Sequence, residues 1–459
     1  MLNEYHKFSY KDKYFILNVE DMKAYRINKP LYDEIEKIEI KGKNKVIKDE
    51  LEDALKKMNL LNNKKDKKNK SSKKIDNNKP VTHISLNVTQ NCNLQCIYCY
   101  GDGGEYDGKG FMTFKTAKDS IDWLIIQSNG EKRLVVTFFG GEPLLNFRLI
   151  KKIVEYSRIK AKEYDKEILF TITTNGTLLD EEKQKYLIEN NITAVLSIDG
   201  NLLALNKNRP WKDKKHNHKI TIENVKNYLN KKDGKVTARA TITKYNSNLS
   251  EVGNYLGELG FRNIYMTYAA IPNEKKIKYQ TNVEVTLNDQ LNIFEYLENL
   301  AENTISLLKK REEIIDKSIL IYVKRLYQRG KRNFYCGVGR GLVGISKTGE
   351  IYPCHRFVGV KDFLMGNIQN VNSFNNGFYL NNRGIESEIC NKCWVRYFCG
   401  GGCIYESLME SGSFNIPDEK WCMKLRKIIE LSIYVYDNLN SSDKKYLGFR
   451  KIEDNNRKP

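Results

Sequence analysis

Along residues 83–269 the apolar and β-branched positions gather into six short runs: HISLNV (83–88), LVVTFF (134–139), ILFTIT (168–173), TAVLSI (193–198), KVTARATIT (235–243) and NIYMTYA (263–269). Runs of this length and composition predict strands. Between them the apolar spacing changes to three and four, in FKTAKDSIDWLIIQS, RLIKKIVEYSRIKAKEY, DEEKQKYLIENN, KITIENVKNYLNKK and LSEVGNYLGELG, which predicts helices. A series of β/α units implies parallel strands, helices outside, and sites at the C-terminal ends of the strands. Six units, where a closed barrel takes eight, predict an α/β fold of the partial (β/α)6 kind, open on one side. The pattern of residues 284–335 is mostly helical and bridges to a cysteine-dense region.

The first 60 residues read differently. HKFSYKDKYFILNVEDMKAYRIN predicts two or three short strands turning near Glu20 and Asp21, and two short helices follow in PLYDEIEKI and KDELEDALKKMNLL. Leu31, Ile35 and Ile38 share a face of the first helix, and Leu51, Leu55, Met58 and Leu61 a face of the second. So small a module, without a cysteine, suits docking better than chemistry. In residues 61–80, LNNKKDKKNKSSKKIDNNKP, periodicity vanishes and eight lysines face two aspartates, which predicts a basic flexible linker. This stretch supplies much of the formal charge of +20, so long-range steering of an acidic peptide or of nucleic acid is the other reading of it. No window has the unbroken apolar length of a membrane span, and Met1 leads into the charged MLNEYHKFSYKDK, so a cytoplasmic protein without a membrane partner is expected. The expected divisions are 1–60, the linker 61–80, the barrel 81–283, the helical bridge 284–335, a cysteine-rich domain 336–425, and a C-terminal helix and tail 426–459.

The ten cysteines fall as three and then seven. A cytoplasmic setting keeps thiols reduced, so disulfides explain them poorly. Cys92, Cys96 and Cys99 lie in the loop leaving the first barrel strand, at the expected mouth of the barrel. Three thiolates bind three irons of a cubic 4Fe–4S cluster and leave the fourth iron open. A zinc site would want a fourth ligand nearby, yet His83 precedes the loop and no His or Cys falls between Tyr100 and His216. The second group is Cys336, Cys354, Cys390, Cys393, Cys399, Cys403 and Cys422, one short of the eight that two complete clusters take. A zinc ribbon would use four of them and leave three unexplained.

Cys92-x3-Cys96-x2-Cys99, with aromatic Tyr98 before the last cysteine, resembles the signature of the radical S-adenosylmethionine (SAM) superfamily. The resemblance implies that the open iron chelates S-adenosylmethionine, which one electron splits into methionine and a 5′-deoxyadenosyl radical, while the protein supplies placement and a dry cavity. It also implies roles further along the barrel. Gly140, Gly141, Glu142 and Pro143 would bind the methionine amino group, with capping of the next turn as the plainer role for Glu142. Thr174 and Asn175 would face the ribose or methionine end. Ser197 would hydrogen-bond the cofactor and Arg209 fork onto its carboxylate, against the plain readings of a turn hydroxyl and a surface arginine.

The seven later cysteines resemble the SPASM extension of radical enzymes that modify peptides and proteins. By that resemblance Cys390, Cys393, Cys399 and Cys422 enclose an outer auxiliary cluster, and Cys403 crosses to join Cys336 and Cys354 on an inner one. Anaerobic sulfatase-maturating relatives carry an eighth cysteine after the first, and an aspartate base after the cysteine matching Cys354. Here GVGRGLVGISKTG follows Cys336, and His355 follows Cys354. IYPCHRFVG and CNKCWVRYFCGGGC instead resemble the maturases of Cys-rich peptides, the SCIFF, ranthipeptide and sactipeptide types, which form thioether bridges. The expected protein therefore holds three 4Fe–4S clusters, the inner one open to a substrate thiolate, and S-adenosylmethionine. Its expected catalytic residues are Cys92, Cys96, Cys99 and His355, the last as proton carrier or as donor to a cluster sulfide. Its partners would be a ribosomal precursor peptide, whose leader docks by strand addition on a winged-helix-like first module, and an electron donor such as flavodoxin or ferredoxin. Maturases that join carbons or oxidise a side chain are the runner-up, and a zinc-ribbon nucleic-acid binder is a distant third.

Overall fold

The computed structural model describes residues 3–41, 49–61, 80–232, 236–270, 283, 285, 287–370, 373–375 and 384–449. The linker expected over 61–80 thus lies outside the described residues except at its two ends, and the C-terminal tail beyond Phe449 lies outside them altogether.

The chain opens with β1 (Tyr5–Tyr10), β2 (Lys13–Asn18) and β3 (Lys23–Ile27), an antiparallel meander, followed by α1 (Lys29–Lys41) and α2 (Asp49–Lys57). Alternation along β2 explains how this sheet is held. Ile16 packs with Ile35 of α1, Leu55 of α2 and Met58 just beyond it, while its neighbours Phe15 and Leu17 join the main core of the molecule. Both faces of β2 are therefore covered, which accounts for the uninterrupted apolar YFIL.

The six predicted strands are β4 (His83–Thr89), β5 (Arg133–Gly140), β6 (Glu167–Thr174), β7 (Thr193–Ser197), β8 (Thr237–Ile242) and β9 (Asn263–Tyr268), all parallel and in sequential order. The helices between them are α3 (Phe114–Gln127), α4 (Phe147–Glu163), α5 (Glu181–Glu189), α6 (Leu202–Asn208), α7 (Lys219–Lys231) and α8 (Leu249–Leu259). α6 has only seven residues and no periodic signal in the sequence. Helices α9 (Leu287–Lys310) and α10 (Leu320–Gln328) follow and pack on the long α13 (Glu419–Asp437), which is preceded by α11 (Arg396–Cys399) and α12 (Ile404–Ser411).

The cysteine-rich region is less separate than its sequence suggests. Its strands β10 (Leu342–Ile345), β11 (Glu350–Tyr352) and β12 (Gly366–Asn367) extend the barrel sheet at the β4 edge. β10 runs parallel to β4, with Leu342 opposite His83 and Ile345 opposite Leu86. The sheet thus has nine strands, in the order β12-β11-β10-β4-β5-β6-β7-β8-β9.

The first module is latched to the region of the later cysteines. The His6 and Trp394 rings stack with centroids 3.6 Å apart, and the His6 ring meets Glu430 at 2.9 Å. Arg396 donates to Glu20 at 2.7 Å and to Glu4 at 2.5 Å, and the Tyr397 hydroxyl donates to Glu20 at 3.1 Å.

Candidate functional site

All ten cysteines are free thiols. The loop carrying Cys92, Cys96 and Cys99 leaves the C-terminal end of β4 and is laced to the 208–212 segment. Gln95 N–H donates to the Pro210 carbonyl at 2.8 Å, Ile97 N–H to Asn208 at 3.0 Å, and Lys212 N–H to Asn93 at 3.0 Å. Donors are aimed at two of the sulfurs. Cys92 Sγ faces the Leu94 N–H at 3.4 Å and the Asn175 amide at 3.8 Å, and Cys96 Sγ faces Arg209 Nη1 at 3.9 Å. Burial, with the Glu142 charge adding to it, pushes the Cys92 thiol up to about 12. An iron cluster is the partner that would draw off these protons. Among the described residues no three Cys, His, Asp or Glu side chains converge closely enough for a single metal ion, as a zinc ribbon requires. A cubane accepts thiolates spread more widely, and three thiols on one loop with donors at their sulfurs fit it.

The Gly140–Gly141 pair serves the close approach of two backbones. Gly141 N–H donates to Thr89 O at 2.9 Å and Glu142 N–H to Asn91 O at 2.8 Å. A Cβ on Gly140 would stand 2.0 Å from Thr89 O, and one on Gly141 would stand 2.1 Å from Asn91 O. Gly140 also has φ +124°. Both glycines line the small cavity beside the cysteine loop, but Glu142 lies behind its wall. Its carboxylate accepts from Leu144 N–H at 3.0 Å, Thr174 Oγ1 at 2.7 Å and Asn175 N–H at 2.8 Å, capping the turn that Pro143 opens. Burial raises this carboxyl to about 7, against the pull of those three donors. The hydrogen bonds of Glu142 are those of the capping role, and all three donors belong to the chain itself. Thr174 is likewise committed to Glu142, and the Asn175 amide to Cys92 and to Asn93 Oδ1 at 3.0 Å.

Asp199, two residues beyond β7, is the hub of the opposite wall. It is fully buried and accepts from Arg209 Nε and Nη2 at 2.9 Å each, from Tyr98 OH at 2.5 Å, and from Thr241 N–H at 2.9 Å. The bidentate edge of Arg209 is therefore given to Asp199 rather than left for a ligand, and Nη1 alone faces Cys96. Tyr98 sits under the guanidinium, 5.4 Å from ring centroid to carbon. Ser197 lines the small cavity.

This cavity, about 150 Å3, shares Arg239, Thr267, Tyr268, Ala269, Ala270 and Arg356 with a larger one of about 300 Å3. Cys336, Cys354 and Cys403 line the larger cavity together with His355. Burial pushes Cys354 up to about 12 and Cys336 to about 11, and Arg356 Nη1, 3.9 Å from Cys403 Sγ, opposes the same effect there. His355 is wedged against Phe139, with ring centroids 4.3 Å apart, and Tyr100 lies 6.1 Å away. Burial, reinforced by Arg239 and Arg356, holds its imidazole neutral, and its Nε2 has no hydrogen-bond partner among the described residues. Tyr100, next to Cys99, packs on Tyr405 at 5.9 Å, so one aromatic cluster joins the first cysteine loop to the later group. Neither Tyr100, next to Cys99, nor Arg356, two positions after Cys354, has a sequence signal beyond that nearness to a cysteine.

Cys390, Cys393, Cys399 and Cys422 lie apart from both cavities, on the turns around α11 and at the start of α13. Cys399 and Cys422 are pushed by burial to about 11 and about 12. The charge of Cys393 acts on Cys390, Cys399 and Cys422, so the four form one neighbourhood.

Residues 86–248 match the model of the Radical SAM superfamily. An uncharacterized protein of Methanocaldococcus jannaschii is 31% identical over 297 residues, which is 64% of this chain and 90% of that protein. The solved structure of native anSMEcpe with bound AdoMet superposes with a TM-score of 0.64 at 21% identity, covering 79% of this chain and all of that one. Streptococcus suis SuiB bound to its precursor peptide SuiA gives a TM-score of 0.50 at 16% identity, covering 92% of this chain and 99% of that one. No helix among the described residues is long and apolar enough to cross a membrane. A three-cysteine loop at the mouth of a parallel sheet, a matched family model and a relative covered almost end to end agree: the chain belongs to the radical SAM superfamily.

Proposed function

We infer that this enzyme modifies a ribosomally made, Cys-rich precursor peptide by forming thioether crosslinks. The observation that carries the reading is the shared wall: Cys92, Cys96 and Cys99 line one cavity, Cys336, Cys354 and Cys403 line the next, and six residues belong to both. In this reading Cys390, Cys393, Cys399 and Cys422 hold a further cluster outside the cavities, and each group of three leaves one iron position open. When bound, the clusters and S-adenosylmethionine supply removal of a hydrogen atom from a peptide carbon, closure of a carbon–sulfur bond, and uptake of the surplus electron.

The chain's own residues do the placing. Asn175 and Arg209 put donors on cluster-loop sulfurs, and Asp199 fixes Arg209. Phe139 and Tyr100, on the wall of the smaller cavity, pack against His355 of the larger one and place aromatic rings between the two groups of cysteines. The precursor's leader docks on the first module. There the outer edge of β3 is unpaired among the described strands, and a groove of about 190 Å3 runs between Tyr25, Arg26, Tyr436 and Lys444. An electron donor such as flavodoxin or ferredoxin completes the cycle. Incubating the reconstituted enzyme with a Cys-rich precursor should remove about two mass units per bridge, as the loss of two hydrogens demands; an unchanged mass refutes thioether formation.

Carbon–carbon joining, or side-chain oxidation of the sulfatase-maturating kind, is the second reading, favoured by the fold shared with anSMEcpe. It needs no substrate cysteine. A precursor with every cysteine changed to alanine should stay unmodified under the thioether reading and still react under this one.

A further inference from the structure

Arg239 and Lys424 are two of the cations on the wall of the larger cavity, and the chemistry above uses neither. Arg239, on β8, lies in the wall common to both cavities. Lys424, on α13, lines the larger cavity only; it is 9% exposed, with Nζ 5.0 Å from the centroid of the Tyr268 ring. Among the described residues neither side chain makes a hydrogen bond or an ion pair. An ammonium with three donors and no acceptor is costly to bury.

The acids nearby are already committed. Glu406 pairs with Arg356 at 2.9 Å, Asp418 accepts from the Lys420 N–H at the start of α13, and Asp316 accepts from Tyr296 and Ser318. Glu410 lies beside Asp418 and is not among the charges acting on Lys424. Among the described residues the cavity therefore has two cationic side chains on its wall that are hydrogen-bonded to no anion, with the Asp316 and Glu406 charges acting on Lys424. We propose that Arg239 and Lys424 form a carboxylate subsite, which holds an aspartate or glutamate side chain of the peptide. This rests on the proposed function, in which a peptide enters the larger cavity.

Methionine's carboxylate in S-adenosylmethionine is the other source of the same chemistry. Arg239 borders both cavities and has access to it, whereas Lys424 borders only the larger one.

The test uses the full-length, iron–sulfur-reconstituted chain in equilibrium dialysis with two isosteric probes, acetyl-Gly-Asp-Gly-Gly-Cys-amide and its Asn counterpart. The acidic probe should bind at least about tenfold tighter, as a charge-assisted contact implies. Lys424→Gln should erase the preference and Lys424→Arg keep it, at unchanged iron content. Equal binding of the two probes, binding of neither, or a preference that survives both Lys424→Gln and Arg239→Gln overturns the subsite. So does an Arg239→Gln variant that loses S-adenosylmethionine affinity while the Asp preference stays intact, since the carboxylate would then be the cofactor's. Failure of the subsite is separable from failure of the reading beneath it. Precursors that lose two mass units equally well with Asp or Asn keep the function and overturn the subsite. An acidic preference without any mass change keeps the subsite and removes the function.

Discussion

Each oxygen of Asp199 takes two donors, Tyr98 OH and Arg209 Nε on one, Arg209 Nη2 and Thr241 N–H on the other. Removing this carboxylate would strand a buried guanidinium next to Cys96. Breaking a buried pair from one side costs about 3–5 kcal/mol. Asp199→Ala should lose about that much in urea unfolding of the iron-free chain, and Asp199→Asn, which keeps one acceptor, distinctly less. A loss under about 1 kcal/mol would mean that Arg209 finds another partner. Sequence reading picked out Arg209 and Tyr98 and passed over the acid that orients both. Nothing in the run Ser197-Ile198-Asp199-Gly200 tells a buried carboxylate from a turn cap, because the distinction lies in what folds against it.

The join between β4 and β5 shows how an element enforces a site. The GG pair lets the Thr89–Asn91 backbone run against the end of β5, and that backbone leads directly into Cys92. Gly141→Ala, with its Cβ forced onto Asn91 O, should displace this loop. Iron per chain should fall by about four, the complement of one cubane, and under the proposed function any iron at the later cysteines would stay. Undiminished iron would mean that the loop tolerates the shift. The six parallel strands were legible because each carries a strong local pattern followed by a helix of different period. β10 was not, since four residues beginning after a glycine-rich stretch carry little pattern, and their partner β4 lies more than 250 positions away. The glycine motif was readable as a motif, but its steric cause depends on a loop from another strand. Glu142 shows the same limit, since only the fold reveals which neighbours satisfy its oxygens.

On the scale of the whole molecule, the parts meet at the cysteines. Tyr100 and Tyr405 tie the first cysteine loop to the inner group, while Trp394, Arg396 and Tyr397, all between Cys393 and Cys399, carry the first module. Stripping iron with a chelator should loosen that latch, and so should Trp394→Ala. In both cases hydrogen exchange in β1 should speed up while β5 and β6 stay protected; unchanged exchange in β1 would show that the module is held by the α13 contacts alone. The latch spans residues more than 370 positions apart, and nothing in either segment announces it. Its consequence concerns the order of events in the life of the enzyme. Under the proposed function, if the module sits correctly only on an iron-shaped loop, a newly made chain without metal would be a poor receptor for a precursor peptide, and substrate would not be captured by enzyme unable to process it. Linkage is reciprocal, so under the same proposal a bound leader would in turn slow the escape of iron, and the peptide would guard the metal that alters it.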